Sequence, residues 1–409
     1  MEFYNDLNTF IQGLTLDHLK CKQTKIKIEE LLRQLRVLIQ LLEMNPITRE
    51  IVSCSKFLQT NNISNDYDRK YSEVSDLYLS LNNPICIKNN VKYLNANWNK
   101  DINRLNMLRK IQCYNQCKKL VEYSKSQPEQ KTTEWLIKRQ SYITASVVAV
   151  ALNKNKYTSK FKSLCESSGI YPAFVGNEAT VFGEKYEPVA TKIYELDNNI
   201  PNEKKVKVFE AAFIPSRDPR YFYIGGSPDG IVLETNIKDG KKLKDGYLIE
   251  IKCPFRRYPR GTVPEHYWMQ MQIQMEVCNL EHGYFLDFKI KDFEHFEDML
   301  SYSLRNKFFH KGAVINIDKP IKENVVKEIK VYSPIYSYEE PETTVRDWVH
   351  KKIKRLNNYT VTYYLVTHKY YVEVFRNRKW LADNAKEIFQ FWNDKQYYKK
   401  NFQELYEQL

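Results

Sequence analysis

Ser227-Pro228-Asp229-Gly230, followed after a short loop by Leu248-Ile249-Glu250-Ile251-Lys252-Cys253-Pro254, is the most informative part of this chain. The apolar run around Glu250 reads as a strand. Side chains alternate faces along a strand, so Glu250 and Lys252 project from one side and Ile249 and Ile251 from the other, into a core. An acid and a base placed among apolar neighbours are costly to bury unless they pair or bind an ion. Asp229 stands at the mouth of a neighbouring turn, where Gly226 and Gly230 let backbone approach closely. Asp229 and Glu250 together make a hard, oxygen-rich corner suited to Mg²⁺, which binds through one or two carboxylates plus waters and phosphate. Lys252 lies where it can hold or deprotonate a water. Glu-x-Lys alone is a common tripeptide and reads as a surface ion pair. The Pro-Asp-Gly ahead of it turns the reading towards a metal-dependent centre.

Outward from this centre, the composition is that of a folded, basic protein. The 409 residues suffice for one large domain or two to three ordinary ones. Apolar residues at 43% and aromatics at 14% argue against disorder as the main state. Lys and Arg number 63 against 50 Asp and Glu, a net +13, which points towards a polyanionic partner but fits a membrane surface as well. Of the eight cysteines only Cys113 and Cys117 are close, with no histidine beside them, so a zinc site is not expected. MEFYNDLNTF has neither the basic start nor the apolar run of a secretory signal, and no stretch has the length of an apolar membrane span. The expectation is a soluble, intracellular, reduced protein without a membrane partner.

Residues 1–125 read as a helical N-terminal domain, with an apolar stripe from Ile26 to Met44 ended near Pro46 and a second helix from about Asp101 to Tyr123. The polar joint at 124–133 separates them from residues 126–409. There, Thr132 or Thr133 can cap a helix near Glu134, Ile143–Leu152 reads as a short helix, and Phe182–Leu196 reads as a longer one. Strand-like runs between Val206 and Val232 break at Pro215 and Gly225-Gly226. A strand at Tyr247–Cys253, a helix at Val263–Cys278 and a strand at Tyr284–Ile290 follow. Residues 311–357 look like an insertion or peripheral structure, and a strand and helix at about 364–395 close the core. Alternating strands and helices predict an α/β or α+β core.

The Pro228-Asp229 … Glu250-x-Lys252 pattern resembles that of the PD-(D/E)xK nucleases. The wider text, including Tyr267-Trp268-Met269-Gln270-Met271-Gln272, resembles the phage lambda exonuclease and YqaJ-like viral recombinase group within them. That resemblance spans residues 132–290 and implies a restriction-endonuclease-like core, a mixed sheet flanked by helices. Phe182-Gly183-Glu184-Lys185-Tyr186-Glu187 is similar to the family's helix motif, which implies an active-site acid at Glu187. The helix after Lys252 implies an active-site Gln270, although Gln270 and Gln274 also read as a plain polar stripe. Arg139-Gln140-Ser141-Tyr142-Ile143-Thr144-Ala145-Ser146 is similar to the segment that binds a 5′-terminal phosphate. The implied contacts are Arg139 and Ser146, with Ser227 as a third. The helical extension and the total length resemble the alkaline nucleases of large insect DNA viruses such as baculoviruses and nudiviruses.

These resemblances imply a 5′-to-3′ exonuclease on double-stranded DNA ends, serving viral recombination, replication or genome processing. One or two Mg²⁺ (Mn²⁺ as substitute) would be held by Glu187, Asp229 and Glu250, with a Lys252 that works best unprotonated and so favours alkaline pH. Basic residues Arg256 to Arg260 can grip backbone. A single-stranded-DNA-binding or annealing protein is an implied partner, and a homo-oligomer is an open alternative. Lys351-Lys352-Ile353-Lys354-Arg355 reads as a nuclear import signal or a basic helix face. The competing readings are an endonuclease on the same core and a non-enzymatic DNA-binding or annealing protein.

Overall fold

A computed structural model of the protein describes residues 109–130, 132–172, 176–238, 241–322 and 325–407. The helical expectation for residues 1–108, including the Ile26–Met44 stripe, lies outside them. One compact unit runs from Gln112 to Leu409. Its first element is the helix at 109–125 (α1), from residue 112 onward, then Thr133–Arg139 (α2), Ile143–Thr144 (β1) and the long helix Glu178–Asn198 (α3). Lys204–Phe209 (β2), Ile214–Pro215 (β3), Ile224–Gly226 (β4), Gly230–Lys238 (β5) and Lys241–Lys252 (β6) lead to Glu265–Cys278 (α4) and His282–Phe293 (β7). Phe296–Ser303 (α5), His310–Lys322 (β8), Val325–Tyr332 (β9), Tyr336–Ser337 (β10), Thr343–Ile353 (α6), Tyr359–Phe375 (β11) and Arg378–Tyr398 (α7) complete the frame.

The predicted mixed α/β core is present. The main sheet is ordered β10-β8-β11-β7-β6-β5-β2, with β9 paired to β8. Its strand pairs are antiparallel except β6 and β7, which run parallel. Parallel neighbours need a crossover, and α4 is that crossover, so the chain leaving Lys252 must fold back over the sheet. Asn279 ends α4 in the left-handed conformation, φ 51°. A small sheet, β1-β4-β3, packs on the other side of α4. The two faces of the main sheet feed separate cores. Ile249 and Ile251 pack with Tyr186, Val189 and Ile193 of α3, whereas Leu248 and Phe285 pack with Met271, Ile273 and Met275 of α4.

Three boundaries differ from the sequence reading. What looked like a short loop before Leu248 is a long antiparallel hairpin, because β5 and β6 continue pairing from Gly230↔Ile249 out to Lys238↔Lys241. Ile143–Leu152 is not one helix but β1, a 3₁₀ turn at Ala145–Val147 and a short helix at Val148–Ala151. Residues 311–357 are not peripheral: β8 lies inside the sheet between β10 and β11, and Ala313, Val314 and Ile315 are fully buried.

The compact unit also begins ahead of the polar joint. Cys113, Cys117, Leu120 and Val121 of α1 are buried in the same core as α4. Gly246 on β6 permits that approach, since a Cβ there would lie 2.6 Å from the Cys113 carbonyl oxygen and 2.7 Å from Tyr114 Cα. Backbone cannot yield as a side chain does. Gly246→Ala is therefore expected to cost at least ~1–3 kcal/mol and lower the thermal midpoint. An unchanged melt would mean that α1 does not pack on β6 in solution.

Candidate active site

Register places the first pair of acids. Gly230 pairs with Ile249, so Asp229, one residue earlier, falls opposite Glu250 at the end of the ladder. Gly230 has to be small there, because a Cβ would meet Val208 and Ile249 at 2.6 and 2.9 Å. Asp229 Oδ2 accepts a 2.7 Å hydrogen bond from the backbone N–H of Ile251, which clamps the Asp-Gly turn to β6. Glu250 is fully buried. Its carboxylate is nonetheless satisfied on both oxygens. Gln270 Nε2 donates to Oε1 and Gln274 Nε2 to Oε2, each at 2.6 Å, and Lys252 Nζ pairs with Oε1 as well. The two glutamines sit one helical turn apart on α4, so the crossover delivers both to one carboxylate. The polar stripe read from sequence is thus a clamp, and Gln274 belongs to it beside the predicted Gln270.

Lys252 Nζ also lies 3.9 Å from Asp229 Oδ2 and 5.1 Å from the centroid of the Tyr267 ring. Burial alone would push this ammonium down, but the charges of Glu250 and Asp229 outweigh it and hold the pKa above its ordinary value. The ion pair keeps the lysine charged, so this arrangement does not supply the neutral Lys252 that would favour alkaline pH. Asp229 is displaced the opposite way from most ion-paired acids. Burial and then the Glu250 charge raise it well above the carboxylate range, against the pull of Lys252. Burial and the neighbouring Glu250 thus disfavour a second negative charge at Asp229, and a divalent cation would let both acids ionise. Gln274 Oε1 is buried without a hydrogen-bond partner. The donors present fit a hard cation such as Mg²⁺.

Glu187 is placed differently. It lies on α3, which packs against the other face of the sheet, beneath Ile249 and Ile251. Its charge is felt at Asp229 and at the Cys253 thiol, both of which it pushes up. Among the described residues, however, no three His, Cys, Asp or Glu side chains gather closely enough to hold one ion, so Asp229 and Glu250 form the acidic pair without it.

The predicted phosphate contacts converge on the same cleft. Arg139, Ser146 and Ser227 line it together with Asp229, Glu250, Lys252 and Gln270. Thr132 Oγ1 caps α2 by accepting from Trp135 N, and α2 presents Arg139 at its last turn. The Arg139 guanidinium stacks 3.9 Å from the Trp135 ring centroid, and burial lowers its pKa to about 10, which leaves it cationic at neutral pH. Arg139 Nε, Trp135 Nε1 and Ser227 Oγ are all buried without a hydrogen-bond partner. Three unsatisfied polar atoms of this kind in one cleft are costly unless a ligand uses them. Gln130, inside the stretch read as a polar joint, also lines the cleft and donates to the Ala211 carbonyl at 2.6 Å. No motif marks it, because its place is set by α1 and α2 folding onto the core. The basic residues at 256–260 divide: Arg257 forms a two-pronged pair with the buried Asp287, both contacts 2.7 Å, while Arg256 and Arg260 are exposed.

A family model described as the YqaJ-like viral recombinase domain matches residues 134–281. A protein of Acanthamoeba polyphaga mimivirus is 27% identical over 249 residues, 56% of this chain and 44% of the relative. A protein of African swine fever virus is 23% identical over 167 residues, 37% of this chain and 47% of the relative. The chain thus spans less than half the length of these viral relatives. Among solved structures, the alkaline exonuclease LHK-Exo from Laribacter hongkongensis is 18% identical with a TM-score of 0.38, covering 67% of this chain and 97% of its own. A phage-related exonuclease from Haemophilus somnus is 14% identical with a TM-score of 0.31, covering 64% and 96%. Residues 134–281, the stretch that matches the YqaJ-like viral recombinase domain, supply every side chain lining the cleft except Gln130.

Proposed function

We propose that this chain is a divalent-metal-dependent deoxyribonuclease that degrades double-stranded DNA from 5′ ends. One observation carries the reading: a single cleft joins the Asp229–Glu250–Lys252 cluster to the stacked Arg139 and to Ser146 and Ser227. Asp229 and Glu250 would hold Mg²⁺, or Mn²⁺ in its place, which when bound stabilises charge on the scissile phosphate and lowers the pKa of water. Gln270 and Gln274 fix the Glu250 carboxylate so that it does not reorganise during reaction. Lys252, kept as an ammonium, orients the attacking water or the phosphate oxygen. Glu187, whose charge acts on Asp229, is the next acid to test as a ligand. Arg139, with Ser146 and Ser227, would anchor the 5′-terminal phosphate, so that cleavage starts at an end and leaves mononucleotides and a 3′ single strand. Trp135 holds the guanidinium plane ready for a two-pronged contact.

Digestion of end-labelled duplexes with Mg²⁺, comparing 5′-phosphate, 5′-hydroxyl and circular substrates, tests this reading. Wild type should release nucleotides from phosphorylated ends and leave a supercoiled circle intact; efficient linearisation would favour the endonuclease reading. Loss of a charge-assisted contact of about 1.5–3 kcal/mol corresponds to roughly 10–100-fold. Arg139→Ala should therefore lower the preference for 5′-phosphate over 5′-hydroxyl by that factor. An unchanged ratio would remove Arg139 from the end-binding role. We further propose a viral single-stranded-DNA-binding or annealing protein as partner, a homo-oligomeric assembly, and nuclear localisation through Lys351–Arg355. In the structure the first three residues of that run belong to the last turn of α6, with Lys351 and Lys352 exposed.

A further inference from the structure

Helix α7 closes over the turn that joins Arg139 to β1, and does so in an unusual way. Three successive carbonyls of that turn each accept a hydrogen bond from one face of α7. Gln140 O accepts from Lys399 Nζ at 2.9 Å, Ser141 O from Trp392 Nε1 at 2.9 Å and Tyr142 O from Lys395 Nζ at 3.3 Å. Residues 392, 395, 396 and 399 share a helix face by their spacing. Gln396 Nε2, in the middle of it, is buried without a hydrogen-bond partner. Arg139, at the start of the same turn, leaves its own buried Nε unpartnered.

Three cations are therefore gathered beside the cleft, and each ammonium spends one N–H on a carbonyl with two left over. Among the described residues, no carboxylate forms an ion pair with any of the three, and the charges acting on Lys395 are the like charges of Lys399 and Arg139. Burial, and then the like charges of Lys399 and Arg139, pull the Lys395 ammonium down to about 8, and burial pulls Lys399 down as well. Crowding like charges at a half-buried place costs stability and is sustained where an anion is to be received. If the lysines served only to pin the turn, neutral donors could do the same without repulsion.

We propose that Lys395 and Lys399, next to Arg139, form a second phosphate site that seats a DNA backbone phosphate adjacent to the one in the cleft. The site rests on the nuclease reading for the identity of its ligand. It gives α7, which carries no recognisable motif, a part in positioning the duplex. Two phosphates held at fixed separation define the direction of the strand, which one alone cannot do.

The test measures binding of the full chain to a 5′-phosphorylated duplex by fluorescence anisotropy, in chelator, between 50 and 200 mM salt. Wild type is compared with Lys395→Gln/Lys399→Gln and with Lys395→Arg/Lys399→Arg. Each phosphate contact contributes about 0.9 to the slope of log affinity against log salt. The glutamine pair should lose about 0.9 of slope together with affinity, while the arginine pair keeps both. Glutamine still donates to carbonyls, so a purely structural role would leave the slope unmoved. Equal slopes for wild type and the glutamine pair overturn the site. If the pair does not fold, as judged by circular dichroism, Lys399→Gln alone carries the test with the same criterion. Failure of the nuclease reading is distinct: wild type then releases no nucleotide with Mg²⁺, whatever the slopes. A wild-type chain that does not bind the duplex overturns the site as well.

Discussion

Asp229→Asn is expected to reduce Mg²⁺-dependent nucleotide release by about 10³-fold or more while the protein still binds duplex DNA. Asparagine keeps a side-chain oxygen for the Ile251 N–H, so the turn that precedes β5 retains its clamp. What it removes is half of the acidic pair. Charge stabilisation by a bound metal is worth several kcal/mol, and ~4 kcal/mol is about three decades in rate. Stability should move the other way. Asp229 in its charged form is opposed by burial and by Glu250, so a neutral side chain at that place should leave the thermal midpoint unchanged or raise it. End-labelled digestion with Mg²⁺, anisotropy in chelator and a thermal melt read the three effects separately. Release at wild-type rates by Asp229→Asn would dismiss the assigned centre; lost binding with intact folding would show that Asp229 does something other than hold a cation.

Lys252→Met should produce the second large effect, and in stability as much as in rate. Among the described residues, Lys252 is the only cation in an ion pair with Asp229 and Glu250. Removing one partner of a buried pair typically costs about 3–5 kcal/mol, because the remaining charge has nowhere to go. The pH dependence follows from the acids left behind. With the ammonium gone, the pull that lowers Asp229 is lost, and its folded pKa, already raised, rises further. A carboxyl whose folded pKa lies above its unfolded value favours folding below the unfolded pKa, and loses that advantage as pH rises through the folded pKa. The variant should therefore melt close to wild type in acid and well below it at neutral and alkaline pH. Mg²⁺ should restore part of the gap if the acids bind it. Turnover should fall by roughly 10²–10⁴-fold, the range for a residue that positions or transfers a proton. A variant that melts like wild type at pH 8 without metal would mean that the acids are not held apart from solvent as the structure has them.

Lys252 itself illustrates how position alters a reading of chemistry. Glu250 and Lys252 at a spacing of two on a strand had to share a face, and that followed from the backbone alone. Whether the lysine works neutral or charged depended on its pairing with the buried Glu250 and, after that, on how near Asp229 came, which is a matter of ladder register between β5 and β6. The same holds for Gln274. Its spacing from Gln270 put both on one face of α4, but only the crossover from β6 to β7 turns that face onto Glu250.

The local chain thus determined what depends on neighbours within a few residues. That covers the alternation at Glu250 and Lys252, the Thr132 cap that starts α2, the helix carrying Glu187 and the glycines that let Asp229 approach. The segment Arg139–Ser146 was legible as a motif, although the single-helix reading of Ile143–Leu152 failed where β1 pairs with a strand some eighty residues later. Tertiary structure alone decided the rest. It brought Arg139 and Ser146 into one cleft with Asp229 and Glu250, drew Gln130 into the lining, and laid Lys395 and Lys399 over the Arg139 turn. Each of these is a contact between residues far apart in the chain. Their formation depends on which apolar faces bury together, and that is a property of the whole packed core and not of any one segment.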